Sequence, residues 1–538
     1  MFGPILIALF LFQSPNEPKL ATLEGTVTHA ASKTPIRKVK VSLTSIGSEG
    51  GESVETTDDG KFVLKDVKPG RYRISATKAG YETTAFGGRQ PGEALGQVVR
   101  VDPGVGAGHL DIALPKHGVI AGKILDADSE PVPRALVMAL GNVYQRGRRI
   151  RIPRGTVPVI SNDLGEYRIG ELPPGKYILC AIPAGLYQPV PDAKKSKPGS
   201  EESIITTCFP NVPQMGDATM LEIKDSSEVT GIDIRLLKTR TVTVQGRITG
   251  APAGGGAVSI LNLNTKNSGP MGNAIHPRAF VMSADGAFEF KNVPPGSYIL
   301  HTLATGLGNA PFVVKASVDI GDQPVTDLQV PAVTPFEIKA KVIAEPGPEL
   351  KITSIRVILM PADEITHALA MGTPNADGDL TLTNLVPGRH RVNLTGVPST
   401  HYVREIRAGD QAADGDEVEI TSPATPLTLS FAVGNAEITG VARTEKGEPA
   451  PGAYVGLIPE PRRAFRFRLT RGDQNGMFKL GNLPPGEYRL VALDKIEAGS
   501  LEDEEFLKPL LSKMKKVKVE ERGTQSQDLI VHSGAAER

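Results

Sequence analysis

The chain has 538 residues, too many for one hydrophobic core, because domains usually hold ~100–150 residues. Its 60 basic and 60 acidic side chains cancel, so a global attraction to nucleic acid or to an anionic membrane surface is excluded. The 58 glycines and 44 prolines are the punctuation expected of many strands and turns.

The first stretch, MFGPILIALFLFQS, carries an apolar run from Pro4 to Phe12. It fits the h-region of a secretory signal peptide and is too short to span a bilayer, which needs ~20 apolar residues. No Lys or Arg precedes it, no clear A-x-A site follows, and there is no lipobox cysteine. A misplaced start or a buried N-terminal strand is the alternative. No later segment approaches transmembrane length, so no transmembrane anchor is expected.

From residue 20 onward one supersecondary plan occurs five times. Each copy opens on an entry strand, with a Gly in LEGTV (Leu23–Val27), IAGKI (Ile120–Ile124), VQGRI (Val244–Ile248) and ITGV (Ile438–Val441). The fourth copy has IKAKV (Ile338–Val342) instead, without the Gly. A second strand follows, as in PIRKVKVSL (Pro35–Leu43) and VPRALVMAL (Val132–Leu140). Then comes a turn with Gly at Asp59-Gly60, Leu164-Gly165, Asp285-Gly286, Asp377-Gly378 or Asn475-Gly476. Asx side chains bond local backbone there, and Gly takes positive φ at no steric cost. Alternating runs such as Phe62/Leu64, Phe288/Phe290 and Phe478/Leu480 predict half-buried strands.

A Pro-Gly corner closes that strand at Gly70, Gly175, Gly296, Gly388 and Gly486. Pro followed by Gly suits a type II turn, with Gly supplying positive φ. Two residues on stand Tyr72, Tyr177, Tyr298, His390 and Tyr488. The tyrosines occupy the place of a tyrosine corner, whose hydroxyl bonds back to nearby backbone. With His390 the fourth copy is expected to be the least regular. Two closing strands end each copy, giving six or seven strands, enough for two packed sheets. The corners lie about a hundred residues apart, a spacing that suits one sandwich per copy rather than a solenoid.

The pattern G-x-V, then D-x-G-x-[FY]-x-[LIF], then P-P-G-x-Y-x-[LIV] resembles that of the carboxypeptidase regulatory-like domain family, and it covers nearly all of the chain after the leader. The resemblance implies an all-β chain of five tandem Ig-like or prealbumin-like β-sandwich domains in an exported bacterial protein. The expected boundaries are a leader at 1–19 and sandwiches at 20–115, 116–238, 239–331, 332–432 and 433–538. Such domains are mainly non-catalytic modules, so the resemblance implies a structural, adhesive or protein-binding scaffold in the periplasm, at the cell surface or outside the cell. Some relatives are grouped with carbohydrate-binding-like folds, which makes a polysaccharide-binding array the alternative. The partner is then an envelope protein or a polysaccharide. No nucleic acid is expected and no cofactor.

Few residues suggest chemistry. Cys180 and Cys208, both in the second copy, are either a disulfide or two separate thiols. The nine histidines are scattered with no H-E-x-x-H, so no zinc site and no peptidase centre is expected. No catalytic motif stands at a strand-to-helix junction, so no enzyme is expected. Asn375, Asp377 and Asp379 read as an Asx-Gly turn rather than a calcium loop, for lack of a twelfth-position Glu. The basic stretches Arg146–Arg154 and Arg462–Arg471 read as solvated strand faces, with the alternating Phe465, Phe467 and Leu469 turned to the core. Tyr144, Tyr187, Phe209 and Tyr402 are left over as loop aromatics, and Tyr144 and Tyr187 are the candidate ligand contacts. An amphipathic helix is expected at Leu501–Lys516, capped by Ser500 and interrupted at Pro509, with its apolar side on its own sandwich.

Overall fold

The computed structural model describes residues 19–46, 51–88, 96–145, 148–184, 199–250, 259–265, 278–281, 286–304, 312–347, 350–363, 368–398, 400–461 and 464–534. Residues 1–18 of the leader and Tyr187 lie outside the described residues. The chain divides into two compact units, the first formed by most of the residues up to Leu114 and the second by nearly all of the rest.

In the first unit the entry strand Ala21–His29 lies between Lys61–Val67, antiparallel, and Ile112–Leu114, parallel. The facing sheet runs Gly51–Glu55, Lys40–Ser45, Gly70–Thr77, Thr84–Ala85, with Val99–Val101 also on the Gly70–Thr77 strand. Leu23, Val27, Phe62 and Leu64 from one sheet and Val41, Leu43, Ile74 and Ala76 from the other are buried. Period-2 alternation turns these residues to one side, and only a second layer can cover them. The fold is all-β, a tandem series of β-sandwiches.

The second unit repeats this plan. Separate apolar cores gather around Ile120, Ile169 and Leu179; around Val244, Phe290 and Leu300; around Val342, Leu359 and Val392; and around Ile438, Leu480 and Leu490. The strand pairing does not stop at residue 238. Ser200–Ile204, in sequence an insert of the second copy, pairs antiparallel with Lys238–Val242 at the start of the third copy's entry strand. That entry strand, Lys238–Thr249, has 12 residues where the others have eight or nine, so its first half extends beyond its own sheet and takes a neighbour from the preceding copy.

Two local features recur and explain residues that alternation alone leaves odd. Near the end of the strand before each corner the register slips, between Ala21/Leu23, Ile169/Leu172, Val242/Val244, Phe336/Ile338 and Ala436/Ile438. The extra residue is a β-bulge, and Asp66, Glu171, Asn292, Asn384 and Asn482 there take left-handed backbone, with φ between 55° and 65°. The bulge resets the alternation, so that Val67, Leu172, Val293, Leu385 and Leu483 face the core. The positive φ expected at the Pro-Gly pair is therefore carried mainly by this residue, four places earlier. Gly388 and Gly486 reach 133° and 152°, far from a type II value, and Gly70, Gly175 and Gly296 are not among the positive-φ glycines.

The second feature is the entry-strand Gly. A Cβ built on Gly25, Gly122, Gly246 or Gly440 would stand 2.3, 2.1, 2.4 or 2.1 Å from the carbonyl oxygen of Leu110, Ile232, Leu328 or Gln527 on the closing strand. In the first, second and fifth copies the next residue of that strand is an Asp. Asp111, Asp233 and Asp528 each accept from the backbone N–H just after the Gly, at 2.9, 2.8 and 2.9 Å. The closing strand thus breaks its ladder and fills the gap with a carboxylate. In the fourth copy the ladder runs unbroken from Ala340 to Ala344, and Ala340 faces Leu380 where the other copies set Gly against Phe or Tyr.

The insert of the last copy is three short turns, Ser500–Glu502, Glu504–Leu507 and Lys508–Lys513, of which only the middle one is α-helical. Asp503, not Ser500, caps it, accepting from Glu505 N–H at 2.9 Å. Pro509 stands at the start of the 3-10 turn, where its missing N–H costs nothing. Phe506, Leu507, Leu510 and Met514 pack on Tyr454, Ile458, Val491 and Leu493 of the same copy.

Candidate functional site at the Pro-Gly corners

Each corner Tyr sits two residues into a central strand, and its side chain folds back across the turn. The phenol oxygens of Tyr72, Tyr177, Tyr298 and Tyr488 donate to the carbonyls of Lys68, Pro173, Pro294 and Pro484 at 2.8, 2.6, 2.7 and 2.9 Å. The separation is four residues each time, so the ring spans the corner and ties the two strands together. The rings cover the corner glycines: a Cβ on Gly70 or Gly296 would meet the ring Cε2 at 3.2 Å. Burial raises the Tyr177 and Tyr298 hydroxyls to about 12. These are structural phenols whose donor capacity is already spent.

His390 takes the same place in the fourth copy and does something different. Its ring is fully buried and its Nδ1 lies 3.0 Å from the Gly388 carbonyl. The carbonyl only accepts, so Nδ1 carries the proton and Nε2 of the neutral ring keeps its lone pair. Burial holds the His390 ring below the usual imidazole range, against the Gly388 carbonyl, Asp363 and Glu419, which favour the charged form. Nothing lies within 4 Å of a Cβ placed on Gly388, where the other corners hold a phenol.

Cys180 and Cys208 face each other on the paired strands Gly175–Ile182 and Thr207–Cys208 and are joined by a disulfide. Met138, Leu140, Ile178 and Ile182 surround it on the side of the sheet away from the main core.

Two sequence readings are corrected here, the loop placement of Tyr144 and Tyr402 and the solvated face of the second basic stretch. Tyr144 is not on a loop: it lies in the strand Leu136–Gln145, opposite Arg149, half-buried with Gly499 against its backbone. Tyr402 is in the strand His401–Ala408, buried, with the Arg466 guanidinium 5.9 Å from its ring centre. Phe209 does lie in a turn, as expected, and packs against the second core. The second correction concerns the described arginines of the second basic stretch, Arg466, Arg468 and Arg471, which do not form a solvated face; Arg462 and Arg463 lie outside the described residues. The strand begins only at Arg468, after a 3-10 turn at Ala464–Arg466. Arg466 donates to Pro485 O at 3.2 Å, and Arg468 to Phe465 O and Phe467 O at 2.9 and 3.0 Å. Arg471 is 1% exposed, gives two hydrogen bonds to Gly452 O at 2.9 and 2.8 Å, and lies 4.5 Å from the Tyr454 ring centre. Guanidinium groups satisfy several carbonyls at once, so a basic stretch is also what tightly turned backbone requires. No sequence periodicity reports that need.

At Asn375 the side chain accepts from Asp379 N–H at 2.9 Å and Gly378 follows with φ 87°, the geometry of an Asx-Gly turn. Among the described residues no group of three or more His, Cys, Asp or Glu is placed to hold a metal ion. No described helix is long and apolar enough to cross a membrane.

These features define a multidomain β-sandwich protein. Within it, residues 22–115 match the family model of the carboxypeptidase regulatory-like domain. Among solved structures the chain is similar to GBS52, the minor pilin of Streptococcus agalactiae, at 16% identity over 41% of this chain and 96% of that one, with a TM-score of 0.23. It is similar to the major pilin subunit BcpA of Bacillus cereus, at 12% identity over 54% and 98%, TM-score 0.15. Two B repeat units of the collagen binding protein of Staphylococcus aureus match at 12% identity over 78% and 100%, TM-score 0.13. The fold assignment rests on the strand pairings described above.

Proposed function

We propose that this chain is an exported, non-catalytic scaffold whose serial sandwiches carry adhesive or protein-binding surfaces at the cell envelope. The observation that supports it is what the recurring residues are used for. Four corner phenols, three closing-strand carboxylates and four entry-strand glycines are all committed to backbone, so what the copies share is architecture. The Cys180–Cys208 bond suits an oxidising compartment, which supports export. The five boundaries read from the sequence are kept as part of this proposal, with 199–204 shared between the second and third sandwiches.

The test is expression with the native N-terminus in a bacterial host, then fractionation and thiol labelling of the denatured protein. The expected result is protein outside the cytoplasm with no reactive thiol until reductant is added. Protein retained in the cytoplasm with two free thiols would end the reading. For the polysaccharide alternative, a glycan array comparing the native chain with Tyr144→Ala decides, and no glycan signal is expected.

A further inference from the structure

The residues just before and just after each corner Tyr or His point away from the core. In the fourth sandwich they are Arg389 and Arg391, on the strand Gly388–Thr395, and the edge strand Glu417–Ile420 sets Glu419 and Glu417 opposite them. Glu417 takes both guanidinium groups, at 2.8 and 2.9 Å, so two arginines of one strand clamp one carboxylate. In the fifth sandwich Arg489 has the second place and pairs with Glu460.

In the first sandwich the same two places are Arg71 and Arg73, on the strand Gly70–Thr77. There the edge strand Val99–Val101 sets Arg100 opposite Arg71 and ends one place short of Arg73. Ile74, Ala76, Val99 and Val101 are buried, so alternation turns the three arginines to the other side of that sheet. Thr44 opposite Arg73 and Ser42 opposite Ser75 are short, polar neighbours on that side. Arg100 is held by Asp102 at 3.0 Å. The side chains of Arg71 and Arg73 have no hydrogen bond or ion pair among the described residues. Like charges directly opposite in a sheet are unfavourable, and the fold leaves Arg71 facing Arg100. Burial and the Arg71 charge hold the Arg73 guanidinium below its usual range. Only Nε of Arg73 is closed off from solvent, so contact with a ligand falls to its terminal nitrogens and to Arg71. We propose that this face of the first sandwich binds an acidic segment of a partner protein, one of whose carboxylates takes the place between Arg71 and Arg73 that Glu417 holds between Arg389 and Arg391. The inference rests on the protein-binding reading above and gives it a partner chemistry. Each guanidinium forks toward a carboxylate oxygen, so the clamp needs no further group. The chain as a whole is neutral, so the attraction is local and salt weakens it.

The test uses the purified full chain and N-acetyl-hexaglutamate amide, followed by ligand-observed NMR and thermal shift at low ionic strength. A Kd on the order of 1 mM or tighter is expected, rising with added salt. The hexaglutamine analogue, which lacks the charge, should bind roughly tenfold more weakly, about the worth of two exposed ion pairs. Arg71→Gln should weaken hexaglutamate binding about threefold, and Arg71→Gln with Arg73→Gln about tenfold. Arg389→Gln removes the same charge from a clamp that is already filled and should leave binding unchanged. Arg100→Glu gives the first sandwich the acid that Glu419 supplies in the fourth, and should abolish binding while the melting profile is kept or raised. Absence of hexaglutamate binding, equal binding of hexaglutamine, or equal losses in Arg71→Gln and Arg389→Gln would each overturn the proposal. So would binding of an oligogalacturonate in place of hexaglutamate, which would make the ligand an acidic polysaccharide. Any of these results leaves the export and thiol tests of the scaffold untouched, because binding is read on purified protein.

Discussion

Glu171 is the one bulge residue whose side chain is neither Asp nor Asn, yet it holds φ at 55°. Asp and Asn tolerate the left-handed region through local hydrogen bonds, whereas other side chains cost about 1–2 kcal/mol there. Glu171→Gly should therefore stabilise the second sandwich by about 1 kcal/mol, read as a raised denaturation midpoint, and Asn482→Gly should change the fifth by only a few tenths. The opposite sign is expected at Gly440, where a methyl would meet backbone rather than a movable side chain. Gly440→Ala should cost about 3 kcal/mol, and Phe478→Leu should not rescue it, because the clash is with the Gln527 carbonyl. The phenols give a pH prediction. The Tyr177 and Tyr298 hydroxyls are raised to about 12 in the fold, so the unfolded chain ionises first as pH climbs. Their contribution is whole below the ordinary phenol value near 10 and is lost as pH rises from there to about 12. Absorbance at 295 nm should show these two titrating late, with unfolding midpoints falling over the same interval.

Among the elements, the closing strand is the one that sets the copies apart. In the first, second and fifth copies it breaks around the entry-strand Gly and an Asp repairs the ladder. Asp233→Ala should cost about 2 kcal/mol by leaving the Lys123 N–H without its charged acceptor, as urea titration of the second sandwich would show. The fourth copy needs neither Gly nor Asp, since its ladder continues through Ala340. That is the physical reason for the missing Gly, which from the sequence alone looks like an irregularity. The bulge is the second such case: strict alternation from Phe62 and Leu64 would turn Val67 outward, and the extra residue brings it to the core.

At the level of the whole chain, the second unit holds several apolar cores that share no buried residue, so damage to one should leave the others standing. The disulfide allows a direct check. It closes a loop with a sequence separation of 28, for which chain entropy gives about 3.5 kcal/mol. Reductant should lower one calorimetric transition, that of the second sandwich, and leave later transitions in place. A single transition that shifts as a whole would mean the sandwiches unfold as one body. The pairing of Ser200–Ile204 with Lys238–Val242 makes the third sandwich the neighbour expected to respond weakly.

Turn chemistry and alternation are local and each copy repeats them, so the β-sandwich class, the recurrence of the corner and the place of the tyrosines are legible in the residues alone. The remaining features depend on contacts between distant segments. Arg471 and Asp233 act on carbonyls and N–H groups that are distant in the chain, and the strand of the second copy pairs with the third. Backbone donors and acceptors must be satisfied wherever the chain brings them, and no local pattern of residues says which distant segment will do it.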